Sequence, residues 1–254
     1  MSFHFPDFSG SIVIYMLVFA RTGAMIMLLP AIGEAGVPSR VRLILALAVS
    51  IAFAPTVAHD YPTQAPASEL GLGLLVFQEI TAGILVGAMT RIVMAALSVA
   101  GNLIATQTGL SYAQQVDPTS DQQSVVIGNF FSLLGVVLIF ATNMHHLAIG
   151  AIVGSYTLIP PGAALPTADM AELTVRLVGG SFALGLQLAA PFLVFGFAVN
   201  AATGLLARLM PQMQVFFIAM PINILAGFLL MALLVGSMMT LFINYFATTM
   251  GSFG

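Results

Sequence analysis

Few side chains in this sequence could do chemistry, and their spacing argues against a catalytic centre. His145 and His146 are adjacent. Neighbours on a helix point about 100° apart, so the two imidazoles do not readily meet one ion. The chain has no cysteine, and no acidic residue lies within twenty positions of the pair. No metal site is expected. Gly179-Gly180-Ser181-Phe182 superficially resembles an intramembrane serine nucleophile. Such a serine needs a histidine base, usually from a later helix, and the last histidine here is His146. HExxH, GxSxG and a phosphate-cradling glycine loop are absent from the sequence, which leaves catalysis and cofactor binding without support.

The remaining candidates are charges inside apolar runs. Arg21, Glu79, Arg91 and Arg208 occupy such positions, where ionised groups are costly and face protein or water. Glu79 and Arg91 are twelve residues apart, about 120° apart on one helix, and are not expected to pair with each other. Partners on other helices or other chains are expected instead. Taken alone, these charges suit either a transporter relay or locking between subunits.

The elements that must position these residues follow from composition. Of 254 residues, 59% are hydrophobic and 6% are charged, with a mean hydropathy of +1.06. Soluble domains carry about 25% charged residues, so this chain cannot cover a globular surface with polar groups. A soluble enzyme, a nucleic-acid binder and a disordered chain are excluded, and an integral membrane protein is implied. All six basic residues are arginine, and the net charge of −3 offers no patch for nucleic acid or anionic head groups. Asp7 precedes the first apolar run, no Lys or Arg does, and Arg21 interrupts it; the first segment is expected to be retained.

Breaks at Pro, Gly and charge give five apolar blocks, roughly Ser11–Leu29, Val41–Ala54, Leu70–Thr106, Ser124–Ile159 and Val178–Tyr245, the last interrupted around Arg208–Gln212. Lipid admits only helices or closed barrels, and the absence of period-2 alternation argues for helices. The expectation is an all-α fold, one helical membrane domain over residues 1–254. Blocks of 37 and 36 residues exceed the roughly 20 needed to cross a bilayer. Each is either a very tight hairpin or a long bent helix covered partly by protein. Arg40 and Arg42 vote for a cytoplasmic Ile32–Arg42 segment, with Pro55–Ser68 and the N-terminus outside. Gly83-x-x-x-Gly87 and Gly150-x-x-x-Gly154 match the close-packing pattern of membrane helices.

The long polar break reads QTGLSYAQQVDPTSDQQ over Gln107–Gln123. Gly109 suits the residue that ends a helix, Asp117-Pro118 is a turn pair, and Ser120-x-x-Gln123 resembles a capping box. On residue types alone this is an exposed connector.

Several segments, in order, resemble the FliR family of flagellar export-gate proteins, called SctT in injectisomes: Arg21-Thr22 with Pro30, Val37-Pro38, Arg40 and Arg42; Glu79 with GILVG, AGNLI and QTGLSYAQQVDP; Asn143-Met144-His145-His146 with Ser155 and Pro160; and ARLMPQMQVF over Ala207–Phe216 with Pro221. Gln214 and Asn223 depart from the family pattern, which often has Asn and a basic residue there. The resemblance covers roughly residues 10 to 245.

It implies a non-enzymatic subunit of the bacterial inner membrane and flagellar basal body, resembling a fused FliP-type plus FliQ-type unit. Implied partners are FliP-type and FliQ-type subunits, an FlhB-type switch protein, exported unfolded flagellar proteins and membrane lipid, with no nucleic acid. It also makes the loop Gly109, Leu110, Ser111, Tyr112, Ala113, Gln114, Gln115, Val116, Asp117 and Pro118 a candidate pore plug. Arg21, Glu79, Arg91, Arg208, Pro211, Phe216 and Pro221 become candidate packing or interface residues. An injectisome subunit and a small-molecule transporter are the competing readings.

Overall fold

A computed structural model of the chain describes residues 8–34, 36–61, 68–110, 126–163, 166–210 and 215–251. Among the described residues the regular structure is helical: α1 (Phe8–Ile26), α2 (Ser39–Val57) followed by a single 3₁₀ turn (Ala58–Asp60), α3 (Glu69–Gln107), α4 (Val126–Ala141), α5 (His145–Leu158), α6 (Thr167–Leu209) and α7 (Val215–Gly251). By length and composition, α2 with its 3₁₀ turn, α3, α6 and α7 can each cross a membrane, and the broken pair α4–α5 adds a fifth span if counted as one.

Helix ends sit where the sequence breaks the backbone ladder. Block Leu70–Thr106 forms one 39-residue helix rather than a hairpin, about 58 Å long at 1.5 Å per residue. Block Ser124–Ile159 instead breaks before His145, with Asn143 at φ +59; asparagine is one of the few side chains that tolerates this region. The interruption expected near Arg208 is the end of α6 at Leu209. Helix α5 stops where Ile159 turns extended, at φ −132 and ψ 83, because the following Pro160 disfavours a helical residue before it. Pro55, Pro191 and Pro221 lie inside α2, α6 and α7, positions that membrane helices tolerate.

The described residues divide into two compact units. One comprises Met1–Val93, Phe140–Leu177 and Ala247–Gly254; the other comprises Met94–Ile139 and Val178–Phe246. In the first, α3 packs on α1 through small residues. A methyl added at Gly83 would meet the Arg21 carbonyl, and one at Gly87 would meet Leu28 and Met25. The first close-packing motif is therefore used within the chain, whereas Gly150 of the second has open space beside it. Leu17, Val18, Ala54, Val57, Tyr61, Leu75 and Tyr156 form a buried cluster in this unit. In the second unit, α3 and α4 approach so closely that a methyl at Gly101 would strike the backbone of Gly128.

This contact generates a prediction. Gly101→Val forces α3 and α4 apart at an overpacking cost of about 1–3 kcal/mol, read as a lower thermal midpoint of the purified chain in detergent. Gly179→Ala, which adds a methyl into open space, does not lower it.

Candidate functional site: a buried arginine clamp and the end of α3

Arg21 of α1 and Glu79 of α3 meet in the first unit, both with no solvent exposure. The guanidinium Nε donates to Glu79 Oε2 at 2.7 Å and Nη2 donates to Oε1 at 3.0 Å, a bidentate pair. Nη2 also donates to the Ile159 carbonyl at 2.9 Å, and Nη1 donates to the Ser155 carbonyl at 3.0 Å and its Oγ at 3.4 Å. All five N–H donors of arginine are thereby engaged. Three of these bonds go to the C-terminal end of α5, where the Ser155 carbonyl also accepts the Ile159 N–H at 2.9 Å and the carbonyls carry partial negative charge.

Two tyrosines close the cluster. The Tyr156 ring lies beneath the guanidinium, 4.1 Å from its carbon, a cation–π contact. Tyr61 donates its hydroxyl proton to Glu79 Oε2 at 3.0 Å, and its ring meets that of Tyr156 edge-on with centroids 6.1 Å apart. Burial, then the neighbouring Tyr156 and the Glu79 charge, push the Tyr61 phenol above its ordinary range. It therefore stays protonated and serves Glu79 as a donor. With its donors and acceptors turned inward, the cluster binds α1, α3, α5 and the segment after α2 to one another. It is a staple, not a substrate site.

A second polar group lies in the second unit at the end of α3. Gly109 takes φ +77, the left-handed conformation glycine adopts at helix ends. Thr108 Oγ1 donates back to the Ile104 carbonyl at 2.9 Å, and Asn223 of α7 donates its amide to the Gln107 carbonyl at 3.4 Å. Thr106, Gln107, Asn200, Thr203 and Asn223 line a cavity of about 160 Å³ here, with Asn223 Oδ1 buried and unpartnered among the described residues. Beside it, Phe195, Leu206, Met210, Ile222 and Ala226 help line an almost wholly apolar groove of about 320 Å³ between α6 and α7.

The structure brings Arg21 and Glu79 together inside the chain and leaves the other candidate charges apart from them. Arg91 and Arg208 are exposed. Pro221 is exposed in α7, whereas Pro211 and the Phe216 side chain lie outside the described residues. Of the candidate plug, Gly109 is buried and Leu110 half-buried; residues 111–118 lie outside the described residues. His145 and His146 have ring centroids 4.2 Å apart, with His145 stacked on Phe140 at 5.0 Å, and among the described residues no group of three or more His, Cys, Asp or Glu could hold a metal. Sequence reasoning missed Tyr61, Tyr156 and Asn223 as partners. A signal for the pairing was available, because Glu79 is the only carboxylate inside any of the five apolar blocks.

The pair makes a prediction. Arg21→Ala or Glu79→Ala leaves one buried charge uncompensated and costs about 3–5 kcal/mol, measured as lost folded yield and thermal midpoint in detergent. Arg21→Met with Glu79→Leu removes both charges and loses less than the sum of the two single changes.

A family model described as "Bacterial export proteins, family 1" matches residues 12–249. The chain is 44% identical over 217 residues to the flagellar biosynthetic protein FliR of Caulobacter vibrioides, covering 85% of this chain and 86% of that protein. It is 34% identical over 223 residues to Escherichia coli FliR, covering 87% and 84%. It is also 27% identical over 233 residues to the Yop proteins translocation protein T of Yersinia pestis, covering 89% and 87%.

Proposed function

This chain belongs to the bacterial export proteins, family 1, and from that premise we propose how it works: as a non-enzymatic structural subunit of the flagellar type III export gate, in the bacterial inner membrane. The observation that carries the reading is the 44% identity to a flagellar FliR over 85% of the chain. The lower identity of 27% to the Yop translocation protein favours the flagellar machine over an injectisome. A small-molecule transporter is set aside by the family membership.

The structure supports a place inside a larger assembly. Helices of 39, 43 and 37 residues are about 58, 64 and 55 Å long at 1.5 Å per residue, whereas the hydrocarbon core is about 30 Å thick. Apolar side chains stay exposed along their length, among them Phe77 at 65%, Phe197 at 77% and Leu233 at 72%. Neighbouring subunits are the natural cover for length that lipid cannot reach. The reading assigns that role to FliP-type and FliQ-type subunits, with this chain acting as a fused unit of both types, and adds an FlhB-type switch protein as a further associate. The passage they enclose carries unfolded flagellar proteins.

In this reading Gly109–Pro118 is the plug of the closed gate. Gly, Ser and Gln let it hydrogen-bond water when displaced, while Leu110, Tyr112 and Val116 fill an apolar constriction when seated. Its base is anchored by Thr108 and Asn223. Arg208, Pro211, Phe216 and Pro221 are assigned to the contact with neighbouring subunits, with the Arg208 guanidinium meeting a carboxylate or backbone carbonyls there.

Affinity purification of the tagged chain from its native membrane is expected to recover the FliP-type and FliQ-type subunits; a clean monomer would overturn the gate reading, and needle-system counterparts would move the chain to an injectisome. Arg208→Ala is expected to lower the yield of that complex, and an unchanged yield removes Arg208 from the interface. Deleting residues 110–116 is expected to make cells leak ions and small solutes. Unchanged permeability with an intact complex would return the loop to an exposed connector.

A further inference from the structure

We propose that α2 is the helix through which this subunit meets lipid, and that Arg40, Arg42 and Arg91 hold the phosphates of anionic phospholipids at one face of the bilayer. The inference starts from a distance between charges of opposite sign that occurs twice. Arg40 and Asp60 bracket α2 with its 3₁₀ turn, 20 residues apart, and Glu69 and Arg91 stand 22 residues apart on α3. At 1.5 Å per residue these separations are about 30 and 33 Å, against a hydrocarbon core of about 30 Å. Helices of 19 and 39 residues thus keep one charge spacing. A protein interface imposes no such length, whereas a bilayer does.

Both arginine ends fall on the same side. The link 61–68 reaches at most about 29 Å when fully extended, and Tyr61 at its start is already bonded to Glu79. The chain therefore does not recross the membrane between α2 and α3. Asp60 and Glu69 lie at one face, and the three arginines at the other, which the positive-inside rule makes cytoplasmic. The net charge of −3 hides this sorting, because it averages over both faces. Among the described residues the ion pairs are Arg21–Glu79, His59–Asp60 and Arg176–Glu172, so none of the three arginines meets a carboxylate. Arg40 and Arg91 are exposed, and Arg42 is half-buried with its Nε unpartnered. Phosphate is the anion that suits a guanidinium fork at head-group depth.

Between these two levels α2 offers lipid a wholly apolar face. Its buried seam is Ala46, Ser50, Ala54 and Val57, with the Ser50 hydroxyl donated to the Ala46 carbonyl at 2.5 Å. Leu43, Ile44, Leu47, Ala48, Ile51 and Ala52 are exposed, so no polar side chain points outward across the middle of the helix. The polar side chains of α3 within its own span are spent inside the chain. Glu79 serves the arginine clamp, Gln78 donates to the Ala163 carbonyl, and Thr81 and Thr90 donate to the carbonyls of Phe77 and Gly87. Ala82 of α3 packs with Ile159 and Met170. The exposed Asp169 and the Glu172–Arg176 pair beside Met170 belong on a protein-covered side. At that point the inference rests on the export-gate reading, which supplies the cover.

The test uses the complex purified through the tagged chain and returned to nanodiscs of phosphatidylcholine with phosphatidylglycerol. Leu47→Cys and Ile51→Cys each carry a nitroxide. The chain has no cysteine of its own, and the complex without an introduced thiol is the blank. Oxygen, which concentrates in hydrocarbon, is expected to relax both nitroxides more than an aqueous nickel chelate does. Exclusion of both reagents from an intact complex means that a neighbouring subunit covers α2, and overturns the lipid face alone. A second arm measures, by native mass spectrometry, phosphatidylglycerol against phosphatidylcholine retained by the complex. The unaltered complex is expected to favour phosphatidylglycerol, and Arg40→Gln, Arg42→Gln and Arg91→Gln each to lower that preference about fivefold, with Lys at the same positions keeping most of it. A preference indifferent to all three changes overturns the arginine site. The single variants are read where the triple variant fails to assemble. Copurification of neighbouring subunits is scored in the same preparations. Oxygen preference and lipid selectivity in a chain without its neighbours keep the anchor and overturn the gate.

Discussion

A guanidinium taken out of water must find a counter-charge and an acceptor for each of its N–H bonds, and that requirement decides where α1, α3 and the end of α5 meet. Arg21 has one carboxylate on α3 and carbonyls on the last turn of α5, so none of the three can shift without stranding a buried charge. Apolar contacts surround this point without sharing its directionality. Leu17, Val18, Val57 and Leu75 would tolerate sliding by a fraction of a turn, because dispersion has no preferred angle. The bidentate pair does not. Specificity in a chain this apolar therefore comes from its few polar bonds.

The same scarcity explains the surface. With 6% charged residues, the long helices have little to offer water, and they exceed what lipid covers. Family membership gives that excess a purpose, because subunits of an export gate bury one another's apolar faces. On the proposed function, neighbouring subunits cover the exposed faces of α6 and α7. Small residues do comparable work inside the chain. Gly83 and Gly87 admit α1 against α3, and Gly101 admits Gly128, so backbones approach where no side chain could intervene.

Much of this was legible from the residues. The lack of alternation and the near-absence of charge leave helices as the only means of satisfying the backbone. Gly109, Pro160 and the Arg208–Gln212 break all mark helix ends that the structure contains. Less legible was which charges pair, since helical angles between Glu79 and Arg91 exclude one partner without naming another. The pairing of Arg21 with Glu79 becomes deducible only when every other carboxylate is seen to lie outside the apolar blocks. Tyr61 carries no sequence signal at all, because its role depends on the 3₁₀ turn carrying the chain back over α3. The choice between hairpin and single helix for the two overlong blocks turned on local detail. Gly83 and Gly87 near the middle of Leu70–Thr106 stay helical and are used to pack α3 against α1, whereas Asn143 takes positive φ and breaks the other block.

The last turn of α3 has a consequence for endurance. Its terminal carbonyls are satisfied by Thr108, by the Gly109 N–H and by Asn223 from α7, so its hydrogen bonding among the described residues is complete by Gly109. A helix finished in this way is mechanically insulated from whatever follows it. In the proposed plug, displacing the loop would then turn on one left-handed glycine and leave α3 wound, as strain relief spares a cable where it leaves its socket.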